Sequence, residues 1–189
     1  MIQAVAGLGN PGAEYEGTRH NVGFEVLDEL ARRHELRFKR GWRLAGHFCM
    51  MRASDRPVVL VRPQTFMNRS GDCVAAVVRK YRLDEGSVLV VVDDVDLPLG
   101  QIRIRPAGGA GGHNGLRSVI DRLGSQAFPR MRLGVGLRPP GSELVDFVLG
   151  RFTREERVPA QVMVERAADA VETALEMGVP EAMNRFNGG

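Results

Sequence analysis

A chain of 189 residues, 43% of them hydrophobic, has the length and apolar content of one folded domain. Its net charge of +3 is too small to identify a partner, and its two cysteines are too few for a disulfide framework. No apolar run reaches membrane-spanning length and no charged leader precedes the first strand, so the expected setting is the cytoplasm, with no membrane segment.

In chain order, Ile2–Ala6 reads as a short apolar strand, and Asn21 caps a predicted helix to about His34 with Phe24, Leu27, Leu30 and Ala31 on one face. Leu44–Met51 and Val58–Val61 read as strands that can pair. Ser70 caps a second helix, in which Val74, Val77, Val78 and Tyr81 follow helical spacing. The run Val88–Val92 has the pattern of a central strand buried on both faces, ending at Asp93. Gln101–Arg105 alternates, so Arg103 and Arg105 share one strand face, and Arg130 and Arg132 do the same in a strand to about Val135. Asn114 or Gly115 opens a short helix to Leu123. A Gly/Pro loop from Gly136 to Glu143 is the expected hinge of a lid-like segment near 136–155. Thr153 and Glu156 form a capping box for a terminal helical region that Pro159 interrupts early. Cys49 and Cys73, in apolar surroundings, read as reduced core residues. Strands interleaved with helices predict a single α/β domain over residues 1–189. Its twisted sheet is mixed but mostly parallel, with helices on both sides.

The charge distribution says more than its total. Seven arginines between Leu99 and Pro140 face one acid, Asp121, so the remainder of the chain is slightly acidic. Such a basic segment fits a polyanion; the alternative is a solvated arginine face.

Gly7-Leu8-Gly9-Asn10-Pro11-Gly12 is followed by Thr18-Arg19-His20-Asn21, which places an amide and an imidazole on a loop after a strand, where open α/β sheets build sites. The glycines formally match a dinucleotide fingerprint, but Pro11, Gly12 and Gly17 keep the segment irregular where that motif needs a helix. Asp93-Asp94-Val95-Asp96 could hold a divalent cation, and His20 or His113 could join it. The favoured alternative is one carboxylate, Asp93, behind one histidine, His20, fixing its tautomer and raising its basicity. The glycine-rich stretch 108–115 lacks the Lys-Ser/Thr of a phosphate loop, and offers backbone that a ligand can approach closely, with Asn114 supplying an amide. Asn68 supplies another, suited to a peptide group. No serine or cysteine stands in a nucleophile elbow, so attack by an activated water is the economical chemistry.

Taken together, Gly7–Gly12, Tyr15 with Thr18–Asn21, Thr65-Phe66-Met67-Asn68 with Ser70-Gly71, Asp93 with Asp96-Leu97-Pro98, and Gly111–Leu116 resemble bacterial peptidyl-tRNA hydrolase, in order and over nearly the whole chain. The resemblance implies hydrolysis of the ester between a peptide and the 3′-terminal ribose of tRNA by a monomer that needs no cofactor and no metal. It implies His20 as base, Asp93 as its orienting carboxylate, and Asn10 as substrate positioner or oxyanion donor. Tyr15, Phe66, Met67, Asn68, His113 and Asn114 would contact the substrate. Arg105 and Arg132 match positions that clamp the tRNA 5′ phosphate, and Arg103 and Arg117 extend that basic surface toward the acceptor stem. Asp94-Val95, Ala107, Ala110 and Arg117 depart from the usual pattern. Two other readings are a non-catalytic RNA-binding protein on the same fold and a metal-dependent nuclease or phosphoesterase using Asp93, Asp94 and Asp96.

Overall fold

The computed structural model describes residues 1–41 and 43–188. Seven strands form one sheet: β1 (Ala4–Gly7), β2 (Lys39–Gly41), β3 (Gly46–Ala53), β4 (Arg56–Pro63), β5 (Val88–Asp94), β6 (Ile102–Arg105) and β7 (Arg130–Gly134). Their order is β2-β3-β4-β1-β5-β7-β6. The four inner strands, β4, β1, β5 and β7, are mutually parallel, and β2, β3 and β6 join the two edges by antiparallel pairing. The predicted pairing of the second and third strands is that of β3 with β4, though Leu44 lies before β3.

Alternation along the inner strands feeds two cores. Val5, Leu60, Leu89, Val91, Met131 and Leu133 pack on one face with α1 (Val22–Arg33), α5 (Arg157–Glu176) and α6 (Val179–Phe186). Ala6, Val61, Val88, Val90 and Val92 pack on the other with α2 (Ser70–Tyr81) and α3 (Asn114–Leu123). β6 is buried on one face only: Ile102 and Ile104 point into the first core while Arg103 and Arg105 are exposed. A slip of one residue would exchange isoleucines for arginines, so this edge has one register. Among the described residues no helix is long and apolar enough to cross a membrane.

Several local expectations change in tertiary context. Ser70 is the first residue of α2 rather than its cap, and its hydroxyl donates to the Met67 carbonyl at 2.9 Å. The Asn21 side chain does not cap α1; it bonds the backbone of Asn10 instead, accepting from N–H at 2.8 Å and donating to the carbonyl at 3.0 Å. Pro159 does not interrupt a helix, because it lies in the first turn of α5, where a missing N–H costs nothing. The Thr153–Glu156 capping box is present. Cys49 and Cys73 are buried and unpaired, and burial pushes their thiols up to about 11 and about 12.

The end of β1 and the start of α1 touch backbone to backbone. A Cβ on Gly7 would stand 2.1 Å from the Gly23 carbonyl oxygen, and one on Gly23 would stand 2.5 Å from that of Leu8. This close approach seats the turn before α1, Arg19–Asn21, against the carboxyl ends of β1 and β5.

Candidate active site

Asp93 is the penultimate residue of β5, His20 lies in the turn before α1, and His113 precedes α3. The three meet on one atom. Asp93 Oδ1 lies 2.7 Å from His20 Nδ1 and 2.9 Å from His113 Nε2. The protons follow from the backbone. Leu116 N–H donates to His113 Nδ1 at 3.1 Å, so the His113 proton sits on Nε2 and is donated to Asp93. His20 donates its Nδ1–H to the same oxygen, which leaves Nε2 as the unprotonated nitrogen. Among the described residues Nε2 has no partner, and His20 lines a cleft of about 420 Å³. Burial by itself would push the Asp93 carboxyl up; the attraction of the N–H ends of the His113 and His20 rings and the hydrogen bonds they donate outweigh it and hold it well below the usual carboxylate range.

Asn10 is held rigidly beside this cluster. Its Oδ1 accepts from Met67 N–H at 2.8 Å, and its backbone is paired with Asn21. The oxygen is thus engaged, and the amide presents Nδ2 as its remaining donor. Phe66 and Asn68 are exposed on one wall of the cleft, and Asn114 on another, with its Oδ1 accepting from Arg117 at 3.3 Å. Met67 is buried and lines the floor. Tyr15 stands outside the cleft and packs edge-on against Phe66, ring centroids 6.3 Å apart.

The three acids of 93–96 do not converge. Successive strand positions turn apart. Asp93 faces the histidines, Asp94 accepts from Arg132 Nη1 at 3.1 Å and from Asp96 N–H at 2.9 Å, and Asp96 is exposed. Among the described residues the cluster with metal-ligand proximity is His20, Asp93 and His113. It does not suit a metal: an ion on His113 Nε2 would drive that proton to Nδ1, where Leu116 N–H already points.

The arginines divide. Cross-strand register sets Arg103 opposite Arg132 and Arg105 opposite Arg130. Arg130 is buried and donates to the carbonyls of Gly108, Gln126 (3.1 Å) and Phe128 (3.0 Å); burial and neighbouring Arg132 push it down to about 10. Arg132 lines the cleft and also donates to Gly109 (3.2 Å) and Ala110 (2.9 Å). The glycine-rich stretch therefore turns three carbonyls inward onto two arginines. Arg103, Arg105 and Arg117 lie outside the cleft and are exposed.

Sequence reasoning did not single out the apolar wall formed by Leu144, Val145, Val148 and Leu149, on or beside α4 (Leu144–Leu149). Their spacing on a short helix after a Gly/Pro loop was the available signal. Arg19 carried none, because its role depends on groups over a hundred positions away.

A family profile described as peptidyl-tRNA hydrolase matches residues 4–189. A peptidyl-tRNA hydrolase of Synechococcus sp. (strain JA-3-3Ab) is 50% identical over 98% of this chain and 83% of its own. One from Caldanaerobacter subterraneus subsp. tengcongensis is 49% identical over 97% of this chain and 98% of its own. The crystal structure of peptidyl-tRNA hydrolase from Acinetobacter baumannii superposes with a TM-score of 0.92 at 34% identity, over 99% of this chain and 95% of that one.

Proposed function

The chain belongs to the peptidyl-tRNA hydrolase family, and on that premise we propose that His20 is the base of its reaction, with Asp93, His113 and Asn10 arranged around it. The enzyme hydrolyses peptidyl-tRNA, separating peptide from tRNA. His20 Nε2 takes a proton from water as the oxygen attacks the ester carbonyl carbon. The imidazolium so formed is stabilised through Nδ1–H by the Asp93 carboxylate. Asn10 Nδ2 donates to the carbonyl oxygen as it gains charge. The tetrahedral species then collapses, and His20 returns the proton to the departing ribose oxygen. His113 spends its proton on Asp93, which keeps that carboxylate ionised and fixed in orientation.

Asn68 and Asn114 supply amide groups for the peptide main chain, and Phe66 with Met67 supplies apolar contact, Tyr15 bracing Phe66 from behind. Arg105 and Arg103, free in solvent, bind phosphate of the acceptor stem, and Arg117 extends the same surface; Arg132, whose Nη atoms are engaged by Asp94 and by the Gly109 and Ala110 carbonyls, adds its charge from the cleft edge without donating to the phosphate. A monomer is the expected state, and the substrate and the buried, unpaired thiols support the cytoplasm as its setting.

The observation that carries this reading is the single Asp93 oxygen shared by two histidines, one of which keeps a nitrogen open to the cleft. His20→Ala should slow single-turnover hydrolysis of a peptidyl-tRNA by about 10²–10⁴-fold, the range for lost acid–base catalysis. Wild-type turnover in the variant removes the assignment. Hydrolysis that a chelator abolishes would favour the metal-dependent reading over a water activated by histidine alone.

A further inference from the structure

Arg19 is 6% exposed, an unusual position for a guanidinium with no part in the reaction. Its three nitrogens reach three separate places. Nε donates to the Val135 carbonyl at 3.3 Å, Nη1 to that of Arg151 at 2.6 Å, and Nη2 to Glu156 Oε2 at 2.6 Å. The guanidinium carbon lies 4.6 Å from the ring centre of Phe147 and 5.0 Å from that of Phe152. Its backbone N–H donates to the Gly150 carbonyl at 3.0 Å, and neighbouring Thr18 bridges to Arg151.

These partners bracket residues 136–149. Val135 immediately precedes the stretch, Gly150 and Arg151 follow it, and Phe147 belongs to it. Within it, Leu144, Val145, Val148 and Leu149 form one wall of the cleft, and Leu137, Leu144 and Val145 are exposed. Gly136, at φ +98°, supplies a left-handed backbone at the entry, within 3.9 Å of both Glu156 and Phe147 for an added Cβ. The stretch is thus fastened at both ends to one side chain, while its outer turn touches little. A lysine has three donors but on one nitrogen, which cannot come within reach of acceptors spread around a planar fork; the guanidinium reaches all three.

We infer that Arg19 is the positioning residue that couples the 136–149 wall of the cleft to His20. With both ends held on Arg19, at Val135 and at Gly150–Arg151, the wall closes over a bound peptide by pivoting about that guanidinium. Arg19 and His20 are consecutive in one short turn, so the seat of the pivot is also the seat of the imidazole. Closure then keeps Nε2 aligned on the water instead of dragging it away. Glu156 fixes the far side: it accepts Arg19 and also Thr153 N–H at 2.8 Å, which ties the pin to the start of α5.

The inference rests on His20 as the base, and its test separates the two. Arg19→Lys and Glu156→Gln would be compared with wild type by amide exchange in residues 137–149, by single-turnover hydrolysis per folded molecule, and by affinity for deacylated tRNA. In Arg19→Lys the exchange should quicken by about tenfold or more. Its hydrolysis rate should fall by about 10- to 100-fold, as expected when a reacting group is misplaced by an ångström. Affinity for deacylated tRNA should stay at the wild-type value, and Glu156→Gln should move the first two readouts the same way by less. Should Arg19→Lys not fold, Glu156→Gln and Phe147→Leu carry the test. Wild-type exchange in the folded variants overturns the pin, and faster exchange with an unchanged rate overturns the coupling. If His20→Ala keeps full turnover, the base assignment fails, while the exchange data still decide whether Arg19 holds the wall.

Discussion

At the cleft, two histidines meet one buried oxygen, and at the β6–β7 edge four arginines stand in two opposed pairs. Like charges directly opposite one another destabilise a sheet. The edge relieves this by engaging its inner pair internally: Arg130 on carbonyls of 108, 126 and 128, Arg132 on Asp94 and on carbonyls of 109 and 110. The outer pair, Arg103 and Arg105, keeps its donors for solvent or substrate. The cleft works by the opposite rule. There the charge is enclosed; the Leu116 N–H decides where the His113 proton sits, and the Asp93 carboxylate decides where the His20 proton sits. Residue type is the same within the arginine set; neighbouring carbonyls and acids separate structural cations from available ones.

The comparison breaks first at Asp93. Asp93→Asn keeps an acceptor but loses the charge that stabilises an imidazolium, so single-turnover hydrolysis should fall by about 10²–10⁴-fold with tRNA affinity intact. Loss of affinity in step with rate would make Asp93 architectural. In the wild type Asp93 carries its charge even in mildly acidic solution, because the two histidines hold its carboxyl below the ordinary range.

Next comes the inner arginine. Arg130→Met leaves buried carbonyls without donors and should cost about 3 kcal/mol in urea unfolding. The same change at Arg105 should cost almost nothing. Equal stability losses at the two positions would erase the division between them.

Glu25 offers a control outside both regions. It borders a second cleft of about 400 Å³ beside Asn10, and burial, with Asp28 nearby, pushes its carboxyl up to about 7. A carboxyl raised in the folded state supports folding below its unfolded value of 4.5, and that support is lost as pH rises through about 7. Glu25→Gln should therefore stabilise the protein by about 2 kcal/mol at about pH 8 and leave it unchanged at about pH 4, read by chemical denaturation. A pH-independent difference would mean that packing, not ionisation, governs this side chain.

The smallest effect belongs to the outer arginines. Arg105→Ala should weaken tRNA binding by about three- to tenfold at low salt and lower the magnitude of the salt slope by about one. A change that salt does not alter would remove Arg105 from the phosphate contacts.

Much of this was legible in advance, for identifiable reasons. The valine-rich apolar run Val88–Val92 marked the central strand because a strand buried on both faces needs apolar residues at every position. Arg103 and Arg105 announced an exposed face because Ile102 and Ile104 alternate with them. His20 and Asp93 were legible as types and as strand-end neighbours. Asn21, Ser70 and Pro159 depart from their local propensities because Asn21 finds the Asn10 backbone, Ser70 bonds back to the Met67 carbonyl, and Pro159 falls in the permissive first turn of α5.

The sequence by itself determined the α/β alternation, the two-faced core, the family and the loops that carry the chemistry, since these depend on periodicity and on residues close in the chain. Tertiary structure alone decided which nitrogen of His20 is open, which arginines are already engaged, and what Arg19 holds. Each of those is settled by contacts among side chains and backbone groups far apart in sequence, and no local pattern encodes a hydrogen-bond direction across such a separation.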